Sequence, residues 1–442
     1  MGGGKMRFDL NGFKTSLRAG FLLPETLSYG YVDAAKYDSL WKKKIEEGKE
    51  DLTPEETFKE LQRRMSGRYF SKVSMAQMAA LDYSSLMFPP YSILSSEDLS
   101  DDWLAIVDFH KKHSRDHSLH QPLTTYVAAK LLGFGKSEDS LRIPQQPNNL
   151  LDYCVESLFS PNSGSYILEE AKKFGIGETM LKKSEAAKEF WKDLFYHTVL
   201  LSAVFHDIGY PWQYVSRVGK SLNNSVSYLH PSDSVAIPIV ELFKDRMVYL
   251  PLRKYQASHH NEPAMEIEKL VDYTTLALET HGFPGAIAFL SLNDAIRKHP
   301  TEAPLARLQE FSIEWAAMGI FMHDMEGKHR KFMPEIRLNI SQDPLSVIIS
   351  LADYLEEFDR PKVSFYPRSR QSRMKYYSDC SMVEVNVDAN GTLEVCMTYK
   401  KESGKAVAAS FKTEETDNYF NPSKGYVDLT GTGIKRVEYL QK

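Results

Sequence analysis

The sequence predicts a mainly α protein, a helical bundle with a small C-terminal β-rich appendage. Three observations lead there. From Asp98 to about residue 360, apolar residues recur at helical spacing in one segment after another. Proline and glycine clusters, among them RIPQQPNN (142–149) and FSPNSGS (159–165), punctuate the gaps between those segments. Past residue 375 the period changes from helical to two, the spacing of a strand with one buried face.

Taken in order, residues 1–50 are mixed in character and hold one short charged helix candidate, Tyr37–Lys49. Thr53-Pro54-Glu55-Glu56 then places Thr at an N-cap, Pro at the first helical position and Glu at the third. A further candidate over 71–87 ends at Pro89-Pro90. Helices are expected at Trp103–Lys111, Pro122–Leu132, Ser184–Asp207, Ala264–Glu279, Ala286–Arg297, Leu305–Phe321 and Pro344–Phe358. In the appendage, Val383, Val385 and Val387 alternate before Asn390-Gly391, and Leu393, Val395 and Met397 alternate after it. Two such runs around Asn-Gly read as a hairpin. The expected division is an N-terminal helical extension (1–95), a central helical domain (96–375) and the β-rich appendage (376–442).

Composition narrows the function classes. The 42% hydrophobic and 26% charged content is that of an ordinary globular chain. A formal charge of −5 gives no bulk attraction to nucleic acid or anionic membrane, so only local basic patches argue for such partners. Cys154, Cys380 and Cys396 are too few and scattered for a disulfide framework or a thiolate zinc site. No apolar run approaches the roughly 20 residues of a membrane span, and MGGGKMRFDL lacks the apolar core of a signal peptide. A cytoplasmic protein without membrane contact is expected. No feature sets an oligomeric state.

The chemistry concentrates where polar residues interrupt apolar helices. Val199–Phe205 is apolar but for Ser202, and His206-Asp207 follows it directly. A helix buried all round would carry that imidazole and carboxylate inward, where a carboxylate needs a hydrogen bond, an ion pair or a metal. Asp353 follows Ile349 by four residues, so it shares the buried stripe of Leu345, Ile348, Ile349, Ala352 and Leu355. Glu356, Glu357 and Asp359 read as solvent-facing. His323 closes the apolar run of EWAAMGIFMHDM, His281 heads THGFPGAIAFL, and His120 opens the helix running through Val127 and Leu131. Each has a bland reading as a hydrogen-bonded core or capping residue, and Asp353 alone has an ion pair with Arg360 as its alternative. Four His and two Asp recurring at helix ends weaken it. Imidazole with carboxylate suits Fe, Mn, Zn or Mg rather than soft-metal chemistry.

The order His120 … His206-Asp207 … Asp353 resembles the H…HD…D signature of the HD-domain superfamily of metal-dependent phosphohydrolases, over roughly residues 110–360. LADYLEEFDR is similar to the terminal Asp helix of bacterial members, and THGFPGA and GIFMHD resemble the extra His segments of two-metal subfamilies. The resemblance implies an HD-domain helical bundle and two divalent ions (Mn, Fe, Mg or Zn). His120, His206, Asp207 and Asp353 would hold the first ion, and Asp207 would bridge to a second on His281 and His323. It implies a phosphohydrolase or phosphodiesterase acting on a nucleotide-like phosphate ester by metal-activated hydroxide. The same ligand order also serves HD-type di-iron oxygenases, and a third reading is a non-catalytic nucleotide-sensing module. Tyr210 stands where many relatives carry lysine in HDIGK, and it is a candidate substrate contact. The HHE and DGxGYP elements of the HD-GYP class are absent, so cyclic di-GMP hydrolysis is not implied.

His117, one helical turn before His120, is the candidate proton donor to the leaving group; its alternative is a hydrogen bond at the helix start or solvent. The segment 360–375 holds Arg360, Arg368 and Arg370 among six basic residues and no acid. Guanidinium groups there suit phosphate, and the neighbouring aromatics suit a stacked base, so nucleic acid is also a candidate partner. Its alternative is a solvated basic linker.

Overall fold

The computed structural model describes residues 5–9, 11–12, 117–133, 140–144, 149–160, 165–207, 209, 246–250, 281–283, 285–287, 289–290, 303–324, 337–358, 380–400 and 412–442. Helix makes up 58% of them, so the chain is mainly α with a small sheet. The expected helices Trp103–Lys111 and Ala264–Glu279 lie outside the described residues, as do Tyr210, Arg360, Arg368, Arg370 and most of the N-terminal extension. No helix among the described residues is long and apolar enough to cross a membrane.

The chain clusters into two compact units assembled from separated segments. One comprises Met1–Leu151, Ala352–Glu414 and Val437–Lys442; the other comprises Asp152–Leu351 and Glu415–Arg436. The stretch 376–442 contributes to both.

In order, the elements are β1 (Met6–Phe8), α1 (His117–Leu132), α2 (Leu150–Leu158), α3 (Ser165–Lys173), α4 (Glu178–Leu181), α5 (Glu185–Phe205), α6 (Ala303–His323), β2 (Leu338–Asn339), α7 (Pro344–Leu355), β3 (Cys380–Val387), β4 (Thr392–Tyr399), β5 (Val427–Asp428) and β6 (Arg436–Gln441). Residues 412–420 are also helical, as are those described between 282 and 290.

The second unit is organised by α5 and α6. Ser184 starts α5 as its N-cap, its Oγ accepting from the Ala187 amide at 3.1 Å. The seam between the helices is made of small and hydroxyl residues: Thr198 Oγ1 donates to Ser312 Oγ at 3.3 Å, and Ser202 Oγ donates to the Ala316 carbonyl at 3.1 Å. A Cβ added to Gly319 would stand 2.6 Å from Ser202 Oγ, so glycine is what permits this approach. Thr198 with Ser312 and Ser202 with Ala316 keep one offset along both helices. The two helices therefore run parallel, and their C-termini finish side by side. Behind the seam, Trp191, Phe195, Phe311 and Trp315 pack edge-on or tilted with ring centroids 5.5–6.0 Å apart. Each such pair adds about 0.5–1.5 kcal/mol beyond area burial.

In the first unit, β1 pairs antiparallel with β3, giving the four-stranded order β1-β3-β4-β6. The Asn-Gly hairpin forms as expected, with Val385 opposite Val395 and Gly391 at φ 84°. The participation of β1 was not legible, because three residues are too few to show a period. It is held through α1: Phe8 stacks edge-on against Tyr126 at 6.2 Å, and Lys130 Nζ donates to the Arg7 carbonyl at 2.9 Å.

Candidate metal centre

Among the described residues, His and carboxylate side chains gather within each unit. The parallel pair α5/α6 builds the first group. α5 ends at Phe205 with His206 still helical (φ −55°, ψ −35°), and α6 ends at His323. Their imidazoles meet with ring centroids 5.0 Å apart. His206, Asp207 and His323 are all buried, and their ligand atoms lie within 4.8 Å of one another. His281 joins from the turn before residue 282, its ring centroid 5.0 Å from that of His323. That turn can approach because residue 209 is glycine: a Cβ there would fall 1.9 Å from the His281 carbonyl oxygen and 2.4 Å from the Gly285 nitrogen.

The hydrogen bonds orient the rings. His206 Nδ1 is 2.8 Å from the Ala203 carbonyl and His323 Nδ1 is 2.6 Å from the Ile320 carbonyl, so in both rings Nδ1–H donates. In the neutral tautomer with that bond, Nε2 carries the lone pair. All three Nε2 atoms face one carboxylate oxygen, Asp207 Oδ1: His281 at 3.0 Å, His206 at 3.5 Å and His323 at 3.6 Å. His281 Nδ1 lies 2.9 Å from Asp324 Oδ2. Burial opposes protonation of His281, but the two carboxylates outweigh it and raise its pKa to about 10. Asp324 also takes the His281 amide at 2.8 Å and the Gly282 amide at 3.3 Å, capping the helical residues that follow. The aligned C-termini of α5 and α6 add the negative ends of two helix dipoles to the same place.

The second group lies in the first unit. His120 stands in the opening turn of α1, 3% exposed; its Nε2 is 2.7 Å from Asp353 Oδ1 and its Nδ1 contacts Glu356 Oε2. The expectation that Glu356 and Glu357 face solvent is corrected: they are 0% and 1% exposed. Each has a counter-group far away in sequence. Glu356 meets His120, while Glu357 meets Lys412, itself fully buried, at 3.1 Å. Adjacent charges at a helix end usually mark solvated backbone; here partners from other segments stabilise them inside. His117 is the first residue of α1.

Of the residues singled out in the sequence, the structure brings His120 together with Asp353, and His206 and Asp207 together with His281 and His323; Asp324 and Glu356 stand beside them without having been singled out for the site. The signal for Asp324 was present, since His323-Asp324 repeats the His-Asp dipeptide of 206–207. Buried His/Asp groups of this chain can hold a metal ion. The donors are nitrogen and oxygen; burial pushes the Cys380 thiol up to about 12 and Cys154 higher, so neither offers a ready thiolate. Comparison with protein families, characterised proteins and solved structures finds no match for this chain.

Proposed function

We propose that this chain is a divalent-metal-dependent phosphohydrolase or phosphodiesterase of HD type, acting on a nucleotide-like phosphate ester. One observation carries the reading: three imidazoles direct Nε2 at Asp207 Oδ1, two of them with Nδ1–H tied to a backbone carbonyl. A divalent cation takes imidazole in its deprotonated form beside an ionised carboxylate, so metal binding here would displace the proton that Asp207 and Asp324 favour on His281. Two divalent ions in such a set supply Lewis acidity and hydroxide at neutral pH.

In this proposal Asp207 would serve both ions, and His281 and His323 would hold one of them. For the other ion, the sequence order implies His120, His206, Asp207 and Asp353 as the residues that would hold it. His117, a turn before His120, delivers the proton to the leaving oxygen. Tyr210, Arg360, Arg368 and Arg370 bind the phosphate and its nucleoside.

The test is metal quantification on the purified chain, followed by a phosphate-release screen across nucleotides and cyclic dinucleotides. Two ions per chain and release from one substrate class are expected, with Asp207→Ala losing metal and turnover together. Full turnover by Asp207→Ala, or a metal-free chain inert after Mn or Fe addition, refutes the proposal. Bound iron with oxygen uptake and no phosphate release points to the oxygenase instead, and nucleotide binding without turnover to the sensor.

A further inference from the structure

We propose that Glu356 and Asp324 are matched positioning residues, each carboxylate holding the Nδ1–H of one metal-ligating histidine so that Nε2 faces the ion. The inference rests on the metal reading above and goes beyond it to residues that reading does not use.

The reason for two carboxylates lies in where each histidine stands on its helix. The last four carbonyls of a helix have no intrahelical partner. His206 and His323 stand at C-terminal ends and use such carbonyls, Ala203 and Ile320, three residues back. His120 and His281 stand at helix starts, where the carbonyls are taken up by the helix's own ladder. An Nδ1 acceptor must therefore be imported. Glu356 serves His120, and Asp324 serves His281 at 2.9 Å. Each supplier neighbours another candidate ligand, Glu356 one turn after Asp353 and Asp324 directly after His323, so placing one ligand also places the support of the next. A carboxylate acceptor fixes the tautomer and makes the imidazole a stronger donor than a carbonyl does. Glu357 is the comparison residue, its carboxylate meeting Lys412 at 3.1 Å.

The experiment is chelator-competition titration of Mn²⁺ and Zn²⁺ on the full chain, for Glu356→Gln, Asp324→Asn and Glu357→Gln, with circular dichroism confirming each fold. The first two keep one acceptor oxygen, lose the charge and turn the other oxygen into an NH2 donor. They are expected to weaken metal binding by about 10–100-fold, while Glu357→Gln leaves affinity unchanged. A measurement on the unsubstituted metal-loaded chain covers the case in which a variant does not fold: ring ¹⁵N shifts should report Nδ1–H in His120 and His281. Wild-type affinity in folded Glu356→Gln and Asp324→Asn, or an Nε2–H tautomer in either ring, overturns the inference while leaving the metal reading standing. Absence of metal binding by the wild-type chain removes the metal reading and this inference with it.

Discussion

Replacing Lys412 by methionine is expected to destabilise the protein by about 3–5 kcal/mol, the cost of stranding one member of a buried ion pair. The lysine is fully buried, its Nζ 3.1 Å from Glu357 Oε1, and Glu357 is itself 1% exposed. The same Nζ donates to the Tyr354 carbonyl at 3.2 Å, in the last turn of α7, and sits 4.3 Å from the centre of the Tyr354 ring. Methionine retains much of the volume but none of the charge, so the Glu357 carboxylate and the Tyr354 carbonyl both lose a donor. The hydrogen bond to the carbonyl alone is worth about 1 kcal/mol, so the stranded carboxylate dominates. Replacing both members, Lys412→Met with Glu357→Leu, removes the stranded charge, and apolar replacement of a buried pair ranges from neutral to about 1–4 kcal/mol stabilising. Equilibrium urea unfolding of the wild type, the single variant and the double variant measures this as a shift in midpoint at constant slope. A single variant within 1 kcal/mol of wild type, or a double variant no more stable than the single, refutes the argument that this pair is strongly coupled and dry.

Two further outcomes follow from the second unit. Gly209→Ala should cost about 1–3 kcal/mol by overpacking, because its Cβ meets backbone atoms of His281 and Gly285 that cannot rotate away; thermal melting and metal titration should both fall, and an unchanged pair of values would show that the turn is slack. Burial lowers the pKa of His197, 2% exposed on α5, to about 3. Its unfolded value is about 6.5, so below that pH the unfolded chain binds the extra proton. Stability is therefore lost as pH falls from about 6.5 toward 3, by up to roughly 5 kcal/mol. His197→Phe should flatten that part of the urea-midpoint profile, and a slope identical to wild type would contradict the assignment.

The sequence itself determined the parts that depend on local periodicity and turn chemistry. The helix from Ser184, the long helix ending at His323, the Asp353 helix and the Asn390-Gly391 hairpin were legible because each repeats its pattern over several residues. His206 and Asp207 were legible because a polar pair at the end of an apolar run is costly without a partner. Only tertiary structure decided which partners arrive. Parallel packing of α5 on α6, set by Ser202 against Gly319, brings His206 and His323 together, and no local pattern encodes that direction. Burial of Glu356 and Glu357 was equally hidden, because a charged pair at a helix end reads as solvated until His120 and Lys412 are known to face it. A carboxylate's free energy depends on the charges around it in space, and those come from segments that the sequence keeps far apart.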